Sequence, residues 1–194
     1  MFFCPFNRNV IILIMKAKLF VLETLETLLS SVIVLFIIYS LVAMPELVWG
    51  ASMEPSFHTG ERILVDKITK QFRQFQRGDV VVLNPPGNNN VDYVKRIIGI
   101  PGDVFKIYNC RVYVSRDGAR FELVEKYLFP SLCTSGGTEI PDGRALKLGS
   151  SEYVVMGDNR THSADSRMFG VISTDRIVGR VIFRFWPLNK IGFI

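Results

Sequence analysis

Histidine is scarce in this 194-residue chain, which has only His58 and His162, and cysteine occurs three times, as Cys4, Cys110 and Cys133. No C-x-x-C pair is present, so nothing recommends a zinc site, and neither a metal nor a cofactor is expected. A G-x-S-x-G segment is also missing, which removes the nucleophile elbow of the α/β-hydrolases. Internal repeats and heptads are absent as well, excluding solenoids and coiled coils. Cys110 and Cys133 either pair in an oxidising compartment or stand as two buried thiols, and spacing does not decide between them.

Charge is missing where it matters most. From Thr27 to Met44 the chain reads TLLSSVIVLFIIYSLVAM, which as a helix covers about 27 Å and is long enough to cross a bilayer. Arg8, Lys16 and Lys18 precede this run, and the first basic residue after it is Arg62. The positive-inside rule then leaves residues 1–26 in the cytoplasm, makes 27–44 a single transmembrane helix and puts 45–194 on the outer face of the cell membrane. A cleavable secretory signal is the weaker alternative, because VAM before Pro45 is a poor cleavage site. The earlier VIILIM, Val10 to Met15, is too short to span alone.

What is abundant is apolar and basic. Hydrophobic residues make up 48% of the chain, ample for a core, and the net charge is +5. That charge suits anionic partners, lipid headgroups or nucleic acid alike. KITKQFRQFQR, Lys67 to Arg77, interleaves basic and aromatic residues, yet an outward domain does not meet nucleic acid. We read this segment as a solvated connector, with membrane lipids as the partner of the basic and apolar surface.

Beyond the apolar run, short segments rich in branched residues alternate with turn residues. RILVDKI, DVVVL, VDYVKRIIGI, VFKIY, RVYVS, EYVVMGD and RIVGRVIFRFW are strand candidates, and NPPGNNN at Asn84 to Asn90 is a loop. Gly136 to Gly149 is weakly patterned and reads as loop, within a small insertion around 105–150. The expected fold class is all-β, a twisted sheet or barrel-like fold with one N-terminal transmembrane helix.

Chemistry centres on GASMEPSF, Gly50 to Phe57. A serine hydroxyl there needs a base. A Ser-His-Asp triad through His58 or His162 is one option, and a lysine desolvated on the apolar face of a strand is another. Lys95 in VDYVKRIIGI shares its strand face with Tyr93 and Ile97, while Arg96 points the other way. Taken alone, that lysine would bury its stem and reach its head to water.

Four segments in order, SMEP, RGDVVVL, YVKRIIGIPGD and MGDNRTHSADSRMFG, together resemble type I signal peptidase, the membrane-bound Ser-Lys protease family that removes signal peptides from exported preproteins. The resemblance implies Ser52 as nucleophile and Lys95 as general base. It implies that Ser163 hydrogen-bonds and orients the lysine, and that Asp158, Asp165 and Arg167 brace the site by ion pairing, with Arg96 as partner of Asp158. Val48, Met53, Phe57 and Val94 would wall the substrate pockets. Gly50 stands where many Gram-negative relatives carry a serine that helps hold the oxyanion, leaving that task to the Ser52 amide and a second backbone donor. The interval from Lys95 to Gly157 is shorter than in relatives with a large second β-domain.

Two readings compete: a self-cleaving Ser-Lys protease, which would need a helix-turn-helix domain where this chain has its apolar run, and a non-catalytic anchored β-domain. Oligomeric state is not legible.

Overall fold

The structure, a computed structural model, describes residues 8–87, 91–129 and 131–194. The chain divides into two units, Met1–Val42 and Ala43–Ile194. The first holds the single helix α1, Arg8–Leu41, whose stretch Ile12–Tyr39 is long and apolar enough to cross a membrane. VIILIM is thus part of the same helix as the uncharged run. The expected anchor 27–44 is helical only through Leu41, and Ala43 and Met44 open strand β1, Ala43–Leu47. Pro45 is the physical reason: a following proline pushes Met44 out of helical geometry and toward extended backbone.

The second unit is built from strands β2 (Arg62–Asp66), β3 (Val80–Leu83), β4 (Tyr93–Gly99), β5 (Val104–Tyr108), β6 (Arg111–Arg116), β7 (Ala119–Glu122), β8 (Ala145–Lys147), β9 (Glu152–Met156), β10 (Ile172–Ser173), β11 (Ile177–Trp186) and β12 (Gly192–Phe193). Two one-turn helices, α2 (Thr69–Phe72) and α3 (Ser166–Phe169), interrupt them. Eight strands form one sheet in the order β1-β2-β11-β3-β4-β9-β10, with β12 also on β11, and four form a second in the order β7-β6-β5-β8. The fold is mostly β, as expected. Of the NPPGNNN loop, Asn88 to Asn90 lie outside the described residues.

β3 explains why the large sheet carries two cores. All four of its residues are buried, and alternation sends Val80 and Val82 to one face and Val81 and Leu83 to the other. The first pair packs with Val48, Met53, Phe57, Ile63, Val65 and Val181. The second packs with Phe75, Ile97, Tyr153, Val155, Ile172 and Ile177. A third cluster joins the sheets, Phe105, Ile107, Val112 and Val114 of the smaller one lying against Ile98, Val154 and Met156 of the larger. Cys110, in the turn between β5 and β6, is disulfide-bonded to Cys133.

Candidate active site

The segment after β1 is pinned at both ends. Val48 donates to the Glu61 carbonyl and Gly60 to the Val48 carbonyl, each at 2.9 Å, while Met53 and Phe57 sink into the core below. Gly50 has φ +92°, a left-handed conformation glycine adopts freely, and its amide donates to Thr59 Oγ1 at 3.0 Å. Ser52 is thereby left half-buried at the lip of a groove.

Opposite it, β4 pairs antiparallel with β3, Val81 facing Lys95, and with β9, Arg96 facing Met156. Lys95 is only 3% exposed. Its ammonium donates to Ser52 Oγ at 2.8 Å and to the Val94 carbonyl at 3.0 Å, and lies 5.0 Å from the Tyr93 ring centroid. Burial lowers its pKa from 10.5 to about 8, against the opposing pull of the Asp165 and Asp158 carboxylates. Desolvation outweighs two negative charges, so this amine deprotonates far more readily than a surface lysine.

The turn after β9 carries the remaining expected residues. Arg96 grips Asp158 with two hydrogen bonds of 2.8 and 2.6 Å. Asp165 caps α3 and accepts from Arg167 Nε and Nη2 at 2.8 and 2.7 Å, and from the Gly157 amide at 3.1 Å. Asn159 reaches back to the serine segment, its amide donating to the Ser52 carbonyl at 3.0 Å and its Nδ2 to the Ala51 carbonyl at 3.1 Å. Gly157 is where the two segments touch. A β-carbon there would collide with the Ser52 carbonyl and the Ser163 hydroxyl.

Two expectations differ from what is found. Ser163 was expected to hydrogen-bond Lys95, but among the described residues its Oγ is buried without a partner. It packs against Gly157 instead, while the ammonium is taken by Ser52 and its own strand. Phe57 was expected in the pocket wall. It is buried to 1% exposure and packs in the core with Ile63, Val65 and Val181, where it does not reach the groove lining. Val48, Gly50, Met53 and Val94 do line the groove, about 290 Å³ in volume, together with Ser52, Lys95, Tyr93, Glu46 and Asp92.

Neither histidine is bonded to the serine. His58 Nδ1 lies 3.4 Å from Lys190 Nζ, and His162 Nδ1 lies 2.9 Å from Thr161 Oγ1. Sequence reading passed over Arg160, Glu125 and Tyr127. Arg160 is nearly fully buried and paired with Glu125, and Tyr127 stacks on Arg96. Arg160 stood inside a motif that had been singled out, so a buried partner for it was a question the sequence raised. Glu125 lies in an unpatterned stretch and gave no signal.

Residues 21–186 match the family model described as signal peptidase, peptidase S26. A signal peptidase IB of Staphylococcus aureus (strain MRSA252) is 36% identical, over 92% of this chain and 95% of that protein. A probable signal peptidase I-2 of Synechocystis is 32% identical, over 89% of this chain and 77% of that protein. A solved signal peptidase I from Enterococcus faecalis V583 aligns at 23% identity and TM-score 0.44, over 56% of this chain and 97% of that one. With a match running through both the serine and the lysine segments, the chain belongs to the signal peptidase family, peptidase S26.

Proposed function

We propose that this chain is a membrane-anchored serine endopeptidase that removes signal peptides from exported preproteins through a Ser52–Lys95 dyad. One observation carries the reading: a lysine 3% exposed, its pKa lowered to about 8, with Nζ 2.8 Å from a serine Oγ. With Lys95 neutral the contact reverses. Ser52 Oγ–H donates to the amine lone pair, which is the geometry a general base needs.

Ser52 Oγ attacks the scissile carbonyl while its proton passes to Lys95 Nζ, and the Ser52 amide contacts the oxyanion. Lys95 then returns that proton to the leaving amine. A water, activated by the same amine, releases the acyl group and regenerates Ser52. Asp158 with Arg96, and Asp165 with Arg167, act as braces that fix the turn facing the serine. Among the described residues, Ser163 Oγ is buried beside Gly157 without a partner, so no role in orienting the dyad is assigned to it.

The groove suits a substrate with small side chains at the cleavage point. Val48, Met53 and Val94 make its apolar walls, and an extended peptide can pair along its edge. The N-terminus lies in the cytoplasm and the catalytic unit on the outer face of the cell membrane. Supporting this are Arg8, Lys16 and Lys18 ahead of the uncharged run that starts at Thr27 and the Cys110–Cys133 disulfide, a bond of oxidising compartments. Lipid contact is supported by exposed apolar side chains of the second unit, Trp49 being 82% exposed and Phe193 87%. The test is incubation of the detergent-solubilised chain with a preprotein and mass measurement of the product. Cleavage after the small-residue site by the wild type and none by Ser52→Ala is the expected result. Wild-type-like cleavage by Ser52→Ala refutes the assignment.

A further inference from the structure

We infer that Glu125 and Tyr127 are positioning residues for the Ser52–Lys95 pair, acting through the two buried arginines Arg160 and Arg96; this rests on the reading above. Both lie on the stretch from Leu123 to Thr134 that returns from β7. Its described residues form no strand or helix. They are tied down by the Cys110–Cys133 bond and by backbone hydrogen bonds at the two ends, Leu123 to the Val112 carbonyl at 2.9 Å and Thr134 to the Cys110 carbonyl at 3.0 Å. An irregular segment loses substantial backbone entropy on ordering. A covalent closure and a buried ion pair are unusual investments for a mere connector.

What the segment holds is the back of the active-site turn. Glu125 accepts from both terminal nitrogens of Arg160, Nη1 at 2.9 Å, and Thr134 Oγ1 accepts from Nη1 at 2.7 Å. The remaining guanidinium nitrogen, Nε, donates to the Gly157 carbonyl at 3.1 Å. Two residues on, Asn159 holds the Ser52 carbonyl. Contacts therefore run from Glu125 through Arg160 to the Gly157–Asn159 turn and so to the serine.

The second path reaches the lysine. The Tyr127 ring lies 4.1 Å from Arg96 Cζ, and its hydroxyl donates to Glu125 Oε1 at 2.5 Å. Arg96 adjoins Lys95 on β4 and grips Asp158. Tyr127 thus presses on the guanidinium that ties the lysine strand to the serine-holding turn. One carboxylate, Glu125, joins both paths. Displacing a reacting group by about 1 Å costs on the order of a hundredfold in rate, so slack in this clamp should appear in the chemical step and not in substrate binding.

The experiment uses the full chain in detergent, below its melting temperature, with a preprotein substrate. Glu125→Gln should lower kcat about tenfold or more at unchanged KM, and Tyr127→Phe, which keeps the stacked ring, should lower it less. A single change also strands a buried charge, so the pair Glu125→Leu with Arg160→Met separates structure from positioning. Replacing both partners of a buried ion pair by apolar residues commonly restores stability, but methionine cannot hold the Gly157 carbonyl. The expected double variant melts near the wild type and keeps the low kcat. Recovery of kcat together with stability, a wild-type kcat in Glu125→Gln, or a rise confined to KM overturns the inference. The activity reading fails separately, if the wild type does not cleave or Ser52→Ala does.

Discussion

Replacing Lys95 by methionine should destroy activity and raise stability, and the size of the gain follows from the amine's surroundings. In the unfolded chain this lysine titrates near 10.5, in the folded chain near 8. At about 1.36 kcal/mol per pH unit, that difference makes the charged side chain an unfavourable contribution of roughly 3 kcal/mol. The folded pKa is the lower of the two, so the penalty is zero above 10.5, grows as pH falls from 10.5 to 8, and is constant below 8. Methionine has no such term. The hydrogen bonds to Ser52 and Val94 that it forfeits offset part of the gain, at about 1 kcal/mol each, so the pH dependence of the difference is the cleaner quantity. For a folded unit of about 150 residues, 3 kcal/mol corresponds to roughly 6–12 °C in melting temperature. Melting curves of Lys95→Met and wild type should therefore diverge progressively from pH 10.5 down to 8 and run parallel below. A difference independent of pH across that window would refute the desolvated lysine. The cleavage rate gives the same pKa from the other side. At pH 7 about one-tenth of the amine is neutral, some 300-fold more than for a lysine titrating at 10.5, and the rate should rise with pH up to about 8 and then level off. Lys95→Arg should be inactive at every pH, because a guanidinium stays charged.

Three further outcomes are expected. His162→Ala should keep most of its activity, since its Nδ1 is engaged by Thr161; a loss of about a thousandfold or more would move the base to the imidazole. Asp158→Asn removes one of the two charges that raise the Lys95 pKa, so the acidic limb of the rate profile should move to lower pH while melting shows a loss from the stranded Arg96; a limb that stays in place or moves upward contradicts the electrostatic account. Cys133→Ser should destabilise the second unit by about 3 kcal/mol, in line with the closure of a loop of a few tens of residues, and reductant should do the same to the wild type but not to the variant.

What the sequence disclosed depended on how local the physics was. The uncharged run, the alternation in VDYVKRIIGI and the buried face of Lys95 are each set by residues within a few positions, and each was legible. The end of the helix was less so, because Pro45 ends it before the apolar composition does. The position of β11 between β2 and β3, with Arg180 opposite Asp66 on one side and Val81 on the other, rests on pairings between segments far apart in sequence, and no periodicity encodes them.

The active site divides along the same line. Ser52 and Lys95 could be matched because each sits in a short motif whose chemistry constrains its neighbours. Ser163 was expected to hold the lysine, but its side-chain direction is decided by the close approach of Gly157 to the serine segment, a contact between distant pieces of chain. Glu125 is the extreme case. A lone glutamate in an unpatterned stretch reads as solvent-exposed, because an unpaired carboxylate cannot be buried. Only the fold supplies Arg160 as its partner, thirty-five residues away in sequence. The proposed reacting pair was matched through two short motifs, whereas the residues proposed to position it become visible only when the turn after β9 and the disulfide-closed loop are brought together.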